Sequence, residues 1–134
     1  MFRCGVDIIE VARVRTSIEK HGDHFVQRVF SPEEIRYCTK FKHPWPHWAA
    51  RWAAKEALYK SLLAGTLPAL VWKEIGVVNE ANGAPHFEFA GETRARLEAW
   101  RFALSLSHVR ELAVAQVVAI PPEETSGPEA SGSA

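Results

Sequence analysis

The chain has 134 residues, of which 47% are apolar and 24% charged, a composition typical of one folded domain. Its 16 basic and 16 acidic side chains cancel, which argues against a protein that coats nucleic acid, because phosphate neutralisation needs an excess of Lys and Arg. No stretch approaches the roughly 20 apolar residues of a membrane span, and Cys4 and Cys38 lack the CxxC spacing of a metal or redox site. We therefore predict a cytoplasmic protein with reduced thiols that binds neither nucleic acid nor membranes.

The N-terminal segment predicts a strand followed by a helix. Residues 2–9 are almost continuously apolar, which is typical of a buried strand, and Asp7 is a charged exception in that run. Residues 11–20 carry apolar side chains at the spacing of one helical face. A buried carboxylate is costly unless it is paired or binds a metal. Asp7 therefore indicates either a salt bridge to a neighbouring helix or a metal ligand.

Two further helices are predicted in the middle of the chain. Ser31 and Glu34 form the capping box of a helix that runs to about residue 40. The proline-containing run 43–46 then breaks the chain. Residues 47–63, rich in Ala and Leu, form the longest helical candidate, which a glycine and a proline end.

The second half of the chain predicts two hairpins separated by a helix. The predicted elements are strands at 71–79, 85–89, 102–107 and 112–120, a turn at 81–84 and a helix at 91–100. Residues 121–134 are rich in Pro, Ser, Gly and Glu and predict a disordered tail after a single domain over residues 1–120. The order of elements indicates an α+β fold in which helices pack on a largely antiparallel sheet.

A carboxylate and a lysine share one face of the longest predicted helix. Glu56 and Lys60 lie four residues apart, a spacing that is commonly just an exposed ion pair. Glu56 together with Asp7 would offer the one or two carboxylates that Mg²⁺ takes beside substrate phosphates and water. Lys60 would then neutralise phosphate charge. Arg51 lies roughly 140° from Glu56 around the helix and points elsewhere.

Five segments, in their order along the chain, resemble the holo-acyl-carrier-protein synthase family, the short phosphopantetheinyl transferases. They are the Gly-hydrophobic-Asp-Ile opening at 5–8, the Phe-Ser-Pro-Glu-Glu segment at 30–34, the Arg-Trp-Ala-Ala-Lys-Glu-Ala block at 51–57 with Lys60, the Asn-Gly-Ala-Pro turn at 82–85 and the Ser-Leu-Ser-His ending at 105–108. The resemblance covers most of residues 4–119. It implies the 4′-phosphopantetheinyl transferase fold and the transfer of 4′-phosphopantetheine from coenzyme A to a serine of an apo acyl carrier protein, with release of adenosine 3′,5′-bisphosphate.

The resemblance also implies roles for individual residues. Asp7 and Glu56 match the ligands of Mg²⁺, for which Mn²⁺ can substitute, and Glu56 and Lys60 match the catalytic pair. The matched coenzyme A-binding residues are Arg51, Lys60, Ser61, Gly65, Asn82, Gly83, Pro85 and His108. Arg51 and His108 match residues that contact the nucleotide phosphates and that are supplied across a subunit boundary in the family's homotrimers. A lone His at a strand end is otherwise usually a surface residue. Either Glu56 or a water on the metal is compatible with the role of proton acceptor for the serine. A carrier of fatty-acid type and one of polyketide type are both compatible with the sequence.

The family docks its acidic carrier on the first helix, which identifies a candidate docking surface in this chain. Its residues are Arg13, Ser17, Lys20, His24, Phe25 and Arg28. The basic members fall at spacings of three and four and would form one stripe if the predicted helix continued beyond residue 20. A plain solvated helix face is the other interpretation of this pattern. A local basic patch is enough to steer an acidic partner even when the net charge is zero.

The same residues are also compatible with two other functions. One is a non-catalytic module that binds coenzyme A or a carrier protein, which the joint presence of Asp7, Glu56 and Lys60 disfavours. The other is a metal-dependent nucleotide hydrolase, which no further cluster of His or carboxylate residues supports. An assay of magnesium-dependent transfer to a carrier protein separates all three.

Overall fold

The computed structural model of the protein describes residues 1–62 and 70–122. Its elements in chain order are β1 (Arg3–Glu10), α1 (Val11–Val29), α2 (Pro32–Cys38), α3 (Trp45–Ser61), β2 (Ile75–Asn79), β3 (Pro85–Phe89), α4 (Gly91–Leu97), β4 (Arg101–His108) and β5 (Leu112–Ile120). The strands form an antiparallel sheet of order β1-β5-β4 and an antiparallel β2-β3 pair. The predicted α+β class is thus confirmed, while Gly65 and residues 123–134 of the predicted tail lie outside the described residues.

Helix α3 packs on the three-stranded sheet because both surfaces are built from small residues. Ala53, Ala54 and Ala57 on the helix are completely buried. Gly5 on β1 meets them so closely that a Cβ atom there would overlap the carbonyl oxygen of Ala57 and lie 2.7 Å from the backbone nitrogen of Ser61. Because these are backbone atoms, only glycine allows this approach. The contact brings the middle of β1 against the last turns of α3.

Aromatic side chains join the two sheets and fill the space around the start of α3. The rings of Phe87 and Phe89 on β3 lie edge-on to Phe102 on β4, with centroids 6.0 and 5.5 Å apart. Trp48 is buried and meets Phe30 edge-to-face at 4.7 Å. Such pairs stabilise a core beyond the area that they bury. The aromatic run after residue 43 therefore belongs largely to the hydrophobic core.

Several predicted boundaries differ from the structure. The break predicted at 43–46 ends two residues early, at Pro44, because α3 begins at Trp45 and a proline in the first helical turn is harmless. The strand predicted at 71–79 begins only at Ile75, after a 3₁₀ turn over Trp72–Glu74. The helix predicted at 91–100 ends at Leu97. The predicted hairpins, the capping box and the short helix that the box starts are confirmed.

The N-terminal strand and helix also differ from the prediction. Strand β1 is not buried on both faces, since Val6 and Ile8 are 57% and 64% exposed on the face that points away from α3. Helix α1 extends beyond residue 20 to Val29, with a kink at Gly22, whose φ of 64° is available to glycine at little cost. No helix in residues 1–62 and 70–122 is both long enough and apolar enough to cross a membrane.

A buried ion pair connects α2 with α3. The side chains of Glu34 and Lys55 are completely buried, and Lys55 Nζ lies 2.6 Å from Glu34 Oε1. The ammonium also donates to the carbonyl oxygens of Val29, Trp72 and Ile75, while Glu34 Oε2 accepts from the backbone N–H of Val77 at 3.0 Å. Burial lowers the pKa of Lys55, and the Glu34 carboxylate opposes this effect. The pair thereby ties the end of α1, the 3₁₀ turn and β2 to one point on α3.

Candidate active site

Asp7, Glu56 and Lys60 meet where β1 lies against α3. Asp7 points toward the helix, its side chain is only 16% exposed, and its Oδ1 lies 3.0 Å from Lys60 Nζ. Lys60 also donates to the carbonyl oxygen of Val6 at 3.1 Å. Glu56 stands one turn before Lys60 on the same face of α3. The predicted salt bridge and the predicted grouping of Asp7 with the Glu56–Lys60 pair are therefore both present.

The two carboxylates lie close enough to repel each other. Burial raises the pKa of Glu56 above its ordinary value, and the negative charge of Asp7 raises it further. Lys60 and a hydrogen bond from Trp52 act in the opposite direction. Two converging carboxylates carry more negative charge than one half-exposed lysine neutralises. The site can therefore bind a further cation.

The carboxylates border an open cleft of about 280 Å³ between β1, α1 and α3. Its lining residues are Asp7, Ile8, Ile9, Arg13, Val14, Ser17, Trp52 and Glu56. Two of the predicted docking residues, Arg13 and Ser17, therefore stand beside the acid pair. Within residues 1–62 and 70–122 no group of three or more His, Cys, Asp or Glu side chains is arranged to hold a metal. Two carboxylates fit Mg²⁺, which commonly takes its remaining ligands from water and substrate phosphates.

Arg51 lies in a different part of the molecule, as its position on the helical wheel predicts. Its side chain is only 3% exposed, and its guanidinium carbon stands 4.1 Å from the centre of the Tyr37 ring. Its Nε atom is buried and has no hydrogen-bond partner among the described residues. His47, four residues earlier on α3, packs its ring 5.5 Å from that of His108 at the end of β4. Arg51, His47 and His108 are hereafter called the basic cluster.

His47 was missed by the sequence analysis. The i,i+4 spacing from Arg51 would have placed both residues on one helical face. However, His47 was only the first residue of the predicted helix, and it was assigned no contact in the sequence analysis. The contact with His108 spans 61 positions of the chain, and no local pattern indicates it.

The remaining residues predicted to bind coenzyme A show two kinds of environment. The Ser61 hydroxyl is completely buried and donates to the carbonyl oxygen of Leu58 at 2.7 Å. Asn82 and Gly83 lie in the exposed turn before Pro85, where Gly83 has a φ of 91° and Asn82 Oδ1 accepts from the backbone N–H of Ala84. Asn79, the last residue of β2, donates to the Tyr37 hydroxyl at 3.2 Å and so ties the hairpin to the ring on which Arg51 packs.

The predicted docking surface follows α1 on both sides of its kink. Arg13, Lys20, His24 and Arg28 are exposed and Ser17 is half-buried. Phe25 differs from them, because only 8% of it is exposed and its ring stacks on Trp52 at 5.4 Å. Since Gly22 interrupts the helix, the basic stripe consists of one part beside the cleft and a second part beyond the kink.

The fold and this site define a transferase class, and comparison with known proteins agrees. The sequence model of the 4′-phosphopantetheinyl transferase superfamily matches residues 3–117, so the chain belongs to that superfamily. The holo-[acyl-carrier-protein] synthase of Geobacter sp. (strain M21) is 39% identical to it over 124 residues, 88% of this chain and 97% of the relative. That of Koribacter versatilis is 38% identical over 117 residues, 85% of this chain and 94% of the relative.

Solved structures show the same architecture. The holo-[acyl-carrier-protein] synthase of Neisseria meningitidis superimposes with a TM-score of 0.80 at 31% identity, covering 89% of this chain and 98% of that one. The Helicobacter pylori enzyme, solved in complex with coenzyme A, superimposes with a TM-score of 0.75 at 29% identity, covering 87% of this chain and 99% of that one. The predicted fold family is therefore confirmed.

Proposed function

We propose that this protein is a holo-[acyl-carrier-protein] synthase, which transfers 4′-phosphopantetheine from coenzyme A to a serine of an apo acyl carrier protein. The observation that carries the proposal is the convergence of Asp7, Glu56 and Lys60 at a cleft that Arg13 and Ser17 of α1 also line. Membership of the superfamily and relatives of 35–39% identity support it. One end of the cleft suits a pyrophosphate, and the other suits the surface of a carrier.

In the proposed reaction the serine oxygen attacks the β-phosphorus of coenzyme A. The bond from that phosphorus to the bridging oxygen breaks, adenosine 3′,5′-bisphosphate leaves, and the hydroxyl proton passes to Glu56 or to water. Such transfers depend on positioning and on charge neutralisation. Asp7 and Glu56 would hold Mg²⁺, which supplies positive charge to the pyrophosphate oxygens. Lys60, half-exposed at the edge of the site, is placed to turn its ammonium toward a phosphate oxygen.

The direct test is mass spectrometry of apo acyl carrier proteins incubated with the protein, coenzyme A and Mg²⁺. A carrier that gains one phosphopantetheine group is the expected product, and a carrier whose acceptor serine is changed to alanine is the control. Cleavage of coenzyme A without labelling of any carrier would instead show a hydrolase. Binding of coenzyme A without either product would show a non-catalytic module.

A homotrimer with shared active sites is the assembly that we propose. The outer face of the three-stranded sheet supports it, because Cys4, Val6 and Ile8 on β1 align with Val118, Gln116 and Val114 on β5 and form a mostly apolar surface that the described chain does not cover. Patches of this kind commonly mark subunit contacts. In a single chain, moreover, the basic cluster does not border the cleft of Asp7 and Glu56. A neighbouring subunit could bring its own basic cluster to that cleft.

Mixing two inactive variants tests the shared site. Arg51→Ala and Glu56→Gln chains, each inactive alone, should regain activity together, because about one quarter of randomly formed boundaries pair an intact Arg51 with an intact Glu56. The measurement is the transfer rate after the two variants are mixed and allowed to exchange subunits. Arg51→Ala mixed with itself is the control. A fully active monomer in analytical ultracentrifugation would contradict the shared site.

Charge reversal at Arg13 tests carrier docking. Arg13→Glu should raise the Michaelis constant for the carrier by about tenfold at low salt, because opposed surface charges govern encounter and orientation. The constant for coenzyme A should stay nearly unchanged, and the effect should shrink at about 0.15 M salt, where the screening length is roughly 8 Å. Arg15→Glu is the matched control, since Arg15 pairs with Glu19 and does not line the cleft. An unchanged carrier constant for Arg13→Glu at low salt would place the carrier on another surface.

A further inference from the structure

His47 is a titratable residue to which the proposed function gives no role. It lies one helical turn before Arg51 on α3, and its ring stacks on Phe41 with centroids 3.7 Å apart. The ring of Tyr37 meets it edge-on at 5.8 Å and that of His108 at 5.5 Å. Neither ring nitrogen of His47 forms a hydrogen bond within residues 1–62 and 70–122. The stack on Phe41 thus orients the imidazole without using its polar atoms.

The basic cluster carries a positive charge that its surroundings do not neutralise. Arg51 is almost completely buried, and its Nε lacks a hydrogen-bond partner among the described residues. The carboxylate of the nearby Glu34 already forms an ion pair with Lys55, whose Nζ lies 2.6 Å from it, and so does not neutralise Arg51. A buried guanidinium without a counterion is costly, and bound anions commonly resolve such a cost. The missing partner is therefore an anion that can accept from the guanidinium and the imidazoles together, as a phosphate can.

We propose that His47 is a third phosphate-binding residue beside Arg51 and His108, and that it takes up a proton when the nucleotide end of coenzyme A binds. The inference rests on the proposed function, in which a neighbouring subunit brings Arg51 and His108 to the cleft that binds coenzyme A. His47 adds a donor whose charge depends on whether the phosphate is present. Its contribution to binding therefore changes with pH, whereas that of Arg51 does not.

The electrostatics of the cluster set the direction of this coupling. Burial lowers the pKa of His47, and the neighbouring His108 and Arg51 lower it further, while no acidic group in the described chain raises it. The titratable or charged groups around it are Tyr37 of α2, Arg51 of α3 and His108 of β4. A bound phosphate reverses the local charge and raises the pKa of His47. Proton uptake then occurs between the two pKa values, and affinity increases as the pH falls through the bound-state value.

Calorimetric titration with adenosine 3′,5′-bisphosphate tests the proposal in the full-length protein. Repeating the titration in buffers of different ionisation enthalpy gives the number of protons taken up on binding. His47→Phe keeps a ring to stack on Phe41 and removes both nitrogens, and His47→Gln keeps a polar donor that does not titrate. Both variants should take up fewer protons than the wild type near neutral pH. His47→Phe should also bind about tenfold more weakly at pH 6, with a smaller loss at pH 8.

Two controls separate the failure of this inference from failure of the proposed function. His43→Phe changes an exposed histidine just before α3 and should leave affinity and proton uptake unchanged. Arg51→Ala should weaken binding at every pH. If Arg51→Ala binds weakly but His47→Phe matches the wild type in affinity and proton uptake, the role of His47 is overturned and the nucleotide site stands. If Arg51→Ala binds like the wild type, the nucleotide does not bind at this cluster, and the inference fails together with that part of the proposed function.

Discussion

Glu56→Gln and Asp7→Asn should each reduce phosphopantetheine transfer by more than about 100-fold while leaving the fold intact. Substituting a residue that contacts a metal ligand typically lowers metal affinity or activity by about 10- to 100-fold. Substituting a proposed ligand itself should lower activity more. Both substitutions keep the shape of the side chain and remove one of the two converging charges at the cleft. The measurement is the single-turnover transfer rate as a function of Mg²⁺ concentration. Chelator should abolish wild-type activity, and Mg²⁺ or Mn²⁺ should restore it.

Glu33→Gln is a matched control for these two variants. Glu33 is an exposed carboxylate on α2 that pairs with Arg36, and it does not line the cleft of Asp7 and Glu56. Its removal should leave both the rate and the Mg²⁺ dependence unchanged. Full activity of Asp7→Asn in metal-free buffer would rule out a metal held by these carboxylates. Unchanged thermal unfolding of the variants would show that any lost activity does not arise from lost structure.

Glu34→Gln should lower the free energy of unfolding by about 3–5 kcal/mol, the usual effect of removing one partner of a buried ion pair. The variant keeps the shape of the side chain but leaves the Lys55 ammonium buried without a counterion. Glutamine also offers one acceptor oxygen where the carboxylate bonds through two, to Ser31 and Lys55 on one side and Val77 on the other. Urea unfolding, with the slope checked for two-state behaviour, is the measurement.

Glu33, the residue before Glu34, is also the control for this stability prediction. The Glu33–Arg36 pair is exposed on both sides, and Glu33→Gln should change stability by less than about 0.5 kcal/mol. Lys55→Met should also be strongly destabilising, because it leaves the Glu34 carboxylate buried and removes a donor from three carbonyl oxygens. A cost below about 1 kcal/mol for Glu34→Gln would show that the ammonium is neutral or reaches water.

The sequence predicted those features of the site that depend on neighbours within a few residues. The capping box of Ser31 and Glu34 appeared as predicted, since both partners lie within one helical turn. Glu56 and Lys60 share a face of α3 for the same local reason. Asp7 was recognised because a carboxylate in an apolar run requires an explanation, and the structure pairs it with Lys60.

The buried ion pair joins residues that no local pattern connects. Glu34 was assigned only a capping role, although its carboxylate also neutralises Lys55, 21 residues away. A lysine beside Ala54 and three residues before Leu58, which is also buried, was an available signal that one charge on α3 faces the core. Its partner could not be named, because a helical pattern specifies which face is buried and not which element packs against that face.

By itself the sequence determined the class of fold, the order of its elements and the motifs that identify the family, because periodicity, caps and turns are local properties of the chain. Only the tertiary structure decided that β1 is exposed on one face, that Phe25 stacks on Trp52, and that His47 meets His108. These contacts depend on how α1, α3 and the sheet pack against one another. Residues far apart in the chain become neighbours through that packing, and no spacing within a single element encodes it.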